Sequence, residues 1–168
     1  MRRALSLLGI TLLLILAIGP VRSVADGLPT RQNIELVVRS TATGLGALME
    51  DIYDQDEQIE AIRRFISPIR FFKDNSGYFF VFDSTGKLVA HATQPDVVGQ
   101  RLQDIKNIQE RHAVRSFVNV AKKGGGYVEY WWKKPETGIY HEKISFIAPI
   151  PNTDFFLGSG IYFSSLRP

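Results

Sequence analysis

A histidine and a lysine are the residues of this chain whose settings could best support ligand chemistry. His91 ends the stretch GYFFVFDSTGKLVAH, in which four of the five residues from 78 to 82 are aromatic. Its imidazole could exchange a hydrogen bond with a ligand carboxylate. The alternative is a histidine that only caps the loop that follows it.

A cation further along the chain could serve the same chemistry. Lys143 lies in a strand-like segment between Glu142 and Ile144. Lysine in a strand is normally exposed, but a buried ammonium group needs an anion, and a ligand carboxylate would supply one. Arg70 precedes the aromatic stretch and could hold a carboxylate through two parallel hydrogen bonds, although an ordinary arginine at a helix end explains it equally well.

Aromatic residues could form the walls of such a site. Tyr130 and Trp132 project to the same side of a predicted strand as Val128, and Tyr78 lies on an adjacent strand. Rows of aromatic residues more often belong to a core. However, tyrosine and tryptophan each carry a polar atom that needs a partner when buried, so they can line a pocket for an apolar tail and fix a polar head.

Metal and enzyme chemistry find little support in the sequence. The histidines at positions 91, 112 and 141 lack the short paired spacing of a metal site, and the chain contains no cysteine. Ser159 lacks the glycine two residues before it that a nucleophile elbow requires. Glycines 124–126 precede a strand rather than a helix, unlike a phosphate-binding loop. We expect no enzyme activity, no metal and no cofactor.

The elements that position these residues follow from the spacing of apolar side chains. Apolar residues recur every three or four positions over residues 28–53 and 56–67, which predicts two helices. A hairpin is predicted from strands at 77–83 and 87–91, and a third helix at 108–123. Three further strands are predicted at 127–132, 140–148 and 155–161.

This order predicts an α+β domain with a five-stranded antiparallel sheet. Alternation along the first strand places Tyr78, Phe80 and Phe82 on one face and Phe79 and Val81 on the other. Both sets are apolar, so both faces of the sheet should be covered. We expect the long N-terminal helix on one face, and loops plus the connecting helix on the other.

The first 25 residues differ from the rest of the chain. Arg2 and Arg3 precede an apolar run that ends near residue 18, and Ser23 and Ala25 supply small residues for cleavage. We expect a signal peptide at 1–25 and a single domain at 26–168, without stable membrane insertion after cleavage. A retained N-terminal membrane anchor facing the periplasm is the alternative, although the run is shorter than the roughly 20 residues that span a bilayer.

Charge and cysteine content narrow the partners and the compartment. The leader carries three of the 20 basic residues and no acidic residue. The rest of the chain therefore has 17 basic residues and 17 acidic residues, and its formal charge is balanced. A nucleic-acid partner would need a basic surface, so none is expected. A chain without cysteine must depend on core packing alone, which suits a periplasmic or secreted protein as well as any other.

Three blocks in order carry a family resemblance over residues 43–162. The blocks IRFFKDNSGYFFVFDSTGKLVAHATQPDVVGQRL, AKKGGGYVEYWWKKPETG and EKISFIAPIPNTDFFLGSGIY resemble the single Cache domain, in particular the sCache type 2 subtype. The resemblance implies a PAS-like extracytoplasmic sensor module of bacterial chemoreceptors and histidine kinases, with a pocket for small organic acids on the sheet. Two departures concern the pocket's lid: Ala92 stands where proline usually follows the histidine, and residues 104–108 replace an acidic-Asn-Gly turn.

The resemblance also places the expected site. The family's tyrosine-containing strand matches residues 77–83. Its histidine matches His91, its tyrosine and tryptophan two apart match Tyr130 and Trp132, and its lysine matches Lys143. Together with Arg70, the residues expected to bind ligand are Tyr78, His91, Tyr130, Trp132 and Lys143.

The expected function is that of an exported sensor domain for short organic carboxylates. Binding would tighten the loop at 93–103 against the sheet. The chain ends six residues after Tyr162, without a signalling domain, so a membrane-bound kinase or receptor is the expected partner. The alternative is a non-catalytic protein-interaction module whose cavity is only core.

Overall fold

The fold comes from a computed structural model that describes residues 30–101 and 106–163. The predicted signal peptide and residues 102–103 of the predicted closing loop lie outside the described residues. The helices are α1 (Arg31–Leu48), α2 (Gln55–Ile66) and α3 (Ile108–Ala121), with a short 3₁₀ helix at Pro95–Val97. The strands are β1 (Phe80–Asp83), β2 (Leu88–His91), β3 (Gly126–Lys133), β4 (Tyr140–Pro149) and β5 (Phe155–Tyr162).

The five strands form one antiparallel sheet in the order β2-β1-β5-β4-β3. The predicted α+β fold with a five-stranded antiparallel sheet is therefore confirmed. The first and last strands of the chain's sheet, β1 and β5, are neighbours, and β5 joins the hairpin to the β3–β4 pair. The register places Lys143 opposite both Tyr130 on β3 and Tyr162 on β5.

Both faces of the sheet are buried, as predicted. One face carries Phe79 and Val81 and packs against α1 and α2, with Val38 and Ile62 fully buried between them. The other face packs against α3. Its core residues include Tyr78, Phe80, Phe82, Val114, Phe117, Tyr130 and Tyr162.

Side-chain caps fix where the helices begin. Thr30, Asp54 and Asn107 each accept hydrogen bonds from backbone N–H groups in the first turn of α1, α2 and α3. Helix α1 ends five residues before the predicted end because the chain turns at 49–54. Ile52 still packs against the core from that turn, so the apolar spacing continues beyond the helix.

The hairpin begins later than predicted. Tyr78 and Phe79 precede the regular ladder, and their carbonyl oxygens accept hydrogen bonds from the Ser159 hydroxyl (2.7 Å) and the Ala92 N–H (3.0 Å). Gly77, the first residue of the predicted strand, forms an isolated antiparallel bridge with Phe71. These contacts hold Tyr78 rigidly at the edge of the α3 face, where the predicted site residues lie.

The described helices contain no candidate membrane span. None of those within residues 30–101 and 106–163 has both the length and the hydrophobicity to cross a bilayer.

Candidate ligand-binding site

A buried lysine lies at the centre of the α3 face. The side chain of Lys143 is on β4, and the residue is only 1 % exposed. Its Nζ donates a hydrogen bond to the Tyr78 hydroxyl at 2.8 Å. It also lies 4.2 Å from the ring centroid of Tyr78 and 4.7 Å from that of Tyr162, so aromatic faces partly replace water around the cation.

The described residues bring no carboxylate into contact with this ammonium group. The ion pairs found within residues 30–101 and 106–163 join Arg31 to Glu129 and Arg39 to Glu35, and neither of them includes Lys143. Burial lowers the pKa of Lys143 to about 7, against a weaker opposing effect of the Glu136 charge. Near neutral pH the site therefore holds a cation whose charge is incompletely compensated.

Two tyrosine hydroxyls connect the lysine to the backbone. The Tyr162 hydroxyl donates to the carbonyl oxygen of Lys133 at 3.1 Å and lies 3.1 Å from the Tyr78 hydroxyl. Since each phenol has one proton, Tyr78 donates to Tyr162 while accepting from Lys143. Burial raises the pKa of both phenols, so they remain protonated. This chain of hydrogen bonds orients the ammonium group and leaves its other N–H bonds free to meet a ligand.

The imidazole of His91 adds a neutral donor. Its Nδ1 accepts hydrogen bonds from the backbone N–H groups of Thr93 (3.2 Å) and Gln94 (3.0 Å), which assigns the ring proton to Nε2. Burial, and secondarily the charges of Lys143 and Arg70, lower the pKa of His91 to about 3. Nε2–H has no hydrogen-bond partner among the described residues. The ring centroid lies 5.1 Å from that of Tyr78.

These groups surround a very small internal cavity. Its volume is about 10 Å³, enough for about one water molecule. The residues that line it are Phe80, Phe82, Leu88, His91, Phe117, Tyr130, Trp132 and Lys143. The Tyr130 hydroxyl is satisfied by Ser145 Oγ at 2.7 Å. The arrangement can offer N–H donors to an anionic head, but a ligand must displace part of the wall to enter. No cluster of three or more potential metal ligands occurs within the described ranges.

Five of the six predicted ligand-binding residues meet at this point. His91, Tyr130, Trp132 and Lys143 line the cavity, and Tyr78 bonds to the lysine. Arg70 lies apart from them. Its guanidinium donates to the carbonyl oxygens of Ser67, Ile69 and Ala92, and so holds the backbone directly after His91. Ligand binding by all six residues remains a prediction.

The sequence analysis missed three residues of this site: Phe117 and Phe80, which line the cavity, and Tyr162, whose ring lies against the Lys143 ammonium group. Tyr162 directly follows the last residue of the predicted strand at 155–161, and extending that strand by one residue would have placed it beside Lys143. Phe117 lies within the predicted third helix, but the sequence alone did not show where that helix crosses the sheet. Phe80 was placed on the correct face without a role.

A family comparison identifies the class of protein that this fold and site define. The Cache domain model dCache_2 matches residues 30–167. The chain therefore belongs to the Cache domain family, a class of sensor modules, and the assignment made from the sequence is confirmed. The described residues form one such module.

Particular relatives are sensors of two kinds. The sensor histidine kinase MctS of Rhizobium johnstonii is 29 % identical over an alignment of 134 residues. The match covers 75 % of this chain and 28 % of that protein, so this chain spans little more than a quarter of its curated relative. A Cache chemosensory domain solved for its recognition of carboxylic acids is 26 % identical, with a TM-score of 0.67 over 78 % of this chain and 91 % of that one. A periplasmic sensor domain of a chemotaxis protein is 29 % identical, with a TM-score of 0.65 over 78 % and 93 %.

Proposed function

We propose that this Cache domain binds a small organic carboxylate and uses Lys143 to hold it. The observation that carries the proposal is a fully buried ammonium group with no carboxylate partner among the described residues. An unpaired buried charge destabilises a fold, so its presence is explained if an anion joins it. The similar Cache domain that recognises carboxylic acids supports this ligand class.

The carboxylate would receive two kinds of hydrogen bond. One oxygen would accept from Lys143 Nζ, which the Tyr78 hydroxyl orients, and the other from Nε2–H of His91. Hydrogen bonds from a charged donor are about twice as strong as neutral ones, so the lysine contributes affinity and the histidine fixes orientation. Tyr130 and Trp132 would exclude water from the anion. No covalent chemistry is part of this proposal, and the domain is proposed to act without catalysis.

Binding requires the cavity to expand, and that expansion is the proposed signal. A cavity of about 10 Å³ cannot hold a carboxylate, so the wall formed by His91 and the loop after it must move. The loop is anchored at its far end, where Leu88 exchanges two backbone hydrogen bonds with Gly99 and Gln100. At its near end Ala92 is held by Phe79 and Arg70, so movement concentrates at residues 93–98. A partner responds only if it distinguishes the two positions of this loop.

The setting of the domain is also a proposal. We propose that residues 1–25 are an export signal and that the domain at 26–168 acts outside the cytoplasm, as does the similar periplasmic sensor domain. Its partner would be a membrane-bound kinase or chemoreceptor, because the relatives include a sensor histidine kinase and a chemotaxis protein.

Thermal unfolding with a panel of organic acids tests the ligand class. Acetate, propionate, lactate, pyruvate, succinate and hexanoate should be compared, because a ligand that binds only the folded state raises the unfolding temperature by mass action. The wild type should respond to at least one acid and the variant Lys143→Met to none, whereas Lys123→Met, which changes an exposed lysine on the same protein, should respond as the wild type does. An equal response of Lys143→Met and wild type would exclude the proposal.

The closed cavity favours one other function, a protein-interaction module without a ligand. Aromatic packing around about one water molecule is what a solid core would show. That alternative predicts no response of the unfolding temperature of the wild type to any of the acids.

A further inference from the structure

A second cavity lies directly outside the proposed site. It is a cleft of about 250 Å³ between the C-terminal end of α2 and the 3₁₀ helix, beside the edge strand β2. The residues that line it are Arg63, Ile66, Ser67, His91, Pro95 and Val98.

His91 belongs to both spaces. Its ring lines the water-sized cavity that contains Lys143 and also the cleft, so the imidazole separates the two. The ring is held by the backbone N–H groups of Thr93 and Gln94, which belong to the loop that carries Pro95 and Val98. The His91 imidazole and the outer wall of the cleft therefore belong to one segment of the chain. A displacement of that segment would join the cleft to the cavity that contains Lys143.

The cleft has the chemistry of a site for an apolar group. Ile66, Pro95 and Val98 give it hydrocarbon walls, and none of its lining residues is acidic. The guanidinium of Arg63 is tied to the edge strand through a hydrogen bond from Nε to the carbonyl oxygen of Val89 at 2.8 Å, which leaves its aliphatic stem along the wall. A dry cavity of about 150 Å³ can hold benzene, so this cleft has room for about six to eight carbon atoms.

We infer that the cleft receives the apolar end of a monocarboxylate whose head is bound at Lys143, with the His91 ring displaced between them. The inference rests on the proposed carboxylate site and specifies its ligand: an acid with an apolar body of about four to eight carbon atoms, rather than acetate or a dicarboxylate. It also explains how a domain with room for about one water molecule around Lys143 accommodates a larger ligand. The aromatic residues around the lysine then act as a seal and do not contact the tail.

A chain-length series of linear monocarboxylates tests this inference. Dissociation constants should be measured by calorimetry from acetate to octanoate. For the wild type, each methylene that enters the cleft should tighten binding by about fourfold. The gain should continue through the series to octanoate, whose seven-carbon tail still fits a cleft with room for about six to eight carbon atoms.

One variant separates the two halves of the site. Ser67 is exposed at the end of α2, and its hydroxyl makes no hydrogen bond to any described residue, so Ser67→Phe should fill the cleft without disturbing Lys143. We expect this variant to bind acetate within about twofold of the wild type and to lose at least tenfold in affinity for hexanoate. Ser40→Phe, which adds the same ring to an exposed position on α1, is the control and should match the wild type.

The outcomes distinguish this inference from the proposed function. Equal hexanoate binding by Ser67→Phe and the wild type, with binding lost in Lys143→Met, would place the tail elsewhere and leave the carboxylate site intact. An affinity that does not rise with chain length would also overturn the inference. Unchanged binding in Lys143→Met would remove both the inference and the proposed function.

Discussion

Lys143 is the residue whose burial the stability of the fold does not explain. A methionine of similar length would fill the same space on β4 without the cost of burying an ammonium group. The structure instead supports the cation with a hydroxyl and three aromatic rings, none of which carries a negative charge. Such partial compensation keeps the group able to bind an anion, at the expense of stability in the absence of one.

The cost of this lysine should be visible in the pH dependence of stability. The pKa of Lys143 is about 7 in the folded protein, below its ordinary value of 10.5, so the unfolded chain binds the proton more tightly between these values. The free energy of unfolding should therefore rise with pH, by roughly 2 kcal/mol between pH 7 and pH 9 relative to Lys143→Met. Urea unfolding of the wild type and of Lys143→Met between pH 7 and pH 9 measures this change in the free energy of unfolding. A constant difference between them would show that the lysine is not desolvated.

His91 should produce a second pH effect, in acid. Its folded pKa of about 3 lies below the ordinary value of 6.5, so protonation favours the unfolded chain as the pH falls below 6.5. Asparagine can accept the same loop hydrogen bonds through its side-chain oxygen but does not titrate. Relative to His91→Asn, the wild type should lose roughly 2 kcal/mol of stability between pH 6.5 and pH 4.5. If both proteins lose stability in parallel, the ring is not buried in neutral form.

Residue types together with the family resemblance selected Lys143 and His91 from the sequence, but their partners were not evident. A lysine in an apolar strand and a histidine at a hairpin end are unusual in themselves. The contact between Lys143 and Tyr162 depends on strand register, and the predicted strand stopped one residue short of it. Arg70 was selected for its charge, yet its position after Ile69 makes backbone carbonyl oxygens its nearest acceptors.

At the scale of elements, β5 determines how closely the site can pack. Gly158 lies opposite Phe80 on β1, and the ring of Phe80 covers the position that a side chain at 158 would occupy. Phe80 also lines the cavity around Lys143. A glycine in the middle of a central strand therefore allows the aromatic wall of the site to lie flat on the sheet.

Adding a methyl group at that glycine should displace the wall. Gly158→Ala is expected to lower the free energy of unfolding by about 1–3 kcal/mol, because the Phe80 ring and the Ile147 side chain must shift to admit the new carbon atom. Gly44→Ala is the matched control: nothing lies within 4 Å of its new methyl group on α1, so a gain of about 0.5–1 kcal/mol is expected from helix propensity. Chemical denaturation measures the free energy of unfolding of the two variants and of the wild type. Equal effects of the two substitutions would contradict the close packing at Gly158.

The order and type of the elements followed from periodicity, while their ends and the loops did not. Apolar spacing identified all three long helices and five strands, because each buries one face in a continuous core. The turn at 49–54 was read as helix since Ile52 packs on the core without being helical. The segment at 92–101 has no period, and its short 3₁₀ helix depends on contacts with β2 that no local pattern records.

At the scale of the molecule, the sheet divides the domain into a half that packs against α1 and α2 and a half that contains the proposed site. The α1 face has a core of aliphatic and phenylalanine side chains, whereas the α3 face contains the buried lysine, the tyrosine hydroxyls and the imidazole. Helix α3 is joined to β4 by hydrogen bonds from Asn107 to the Tyr140 hydroxyl (2.8 Å) and from that hydroxyl to Glu110 (2.7 Å). Helix α3, which covers the site, is therefore firmly attached at β4. The loop that follows His91 is the part of the wall that can move.

The whole account depends on a carboxylate that pairs with the charged form of Lys143, and calorimetric titration of one acid at two pH values tests this most directly. With hexanoate, the wild type should bind at pH 6.5 and bind roughly 20-fold more weakly at pH 8.5, because most of the lysine is then neutral and His91 is neutral at both values. Lys143→Met should bind at neither pH, and Lys123→Met should match the wild type. Equal affinity of the wild type at both pH values, or binding by Lys143→Met, would contradict the account.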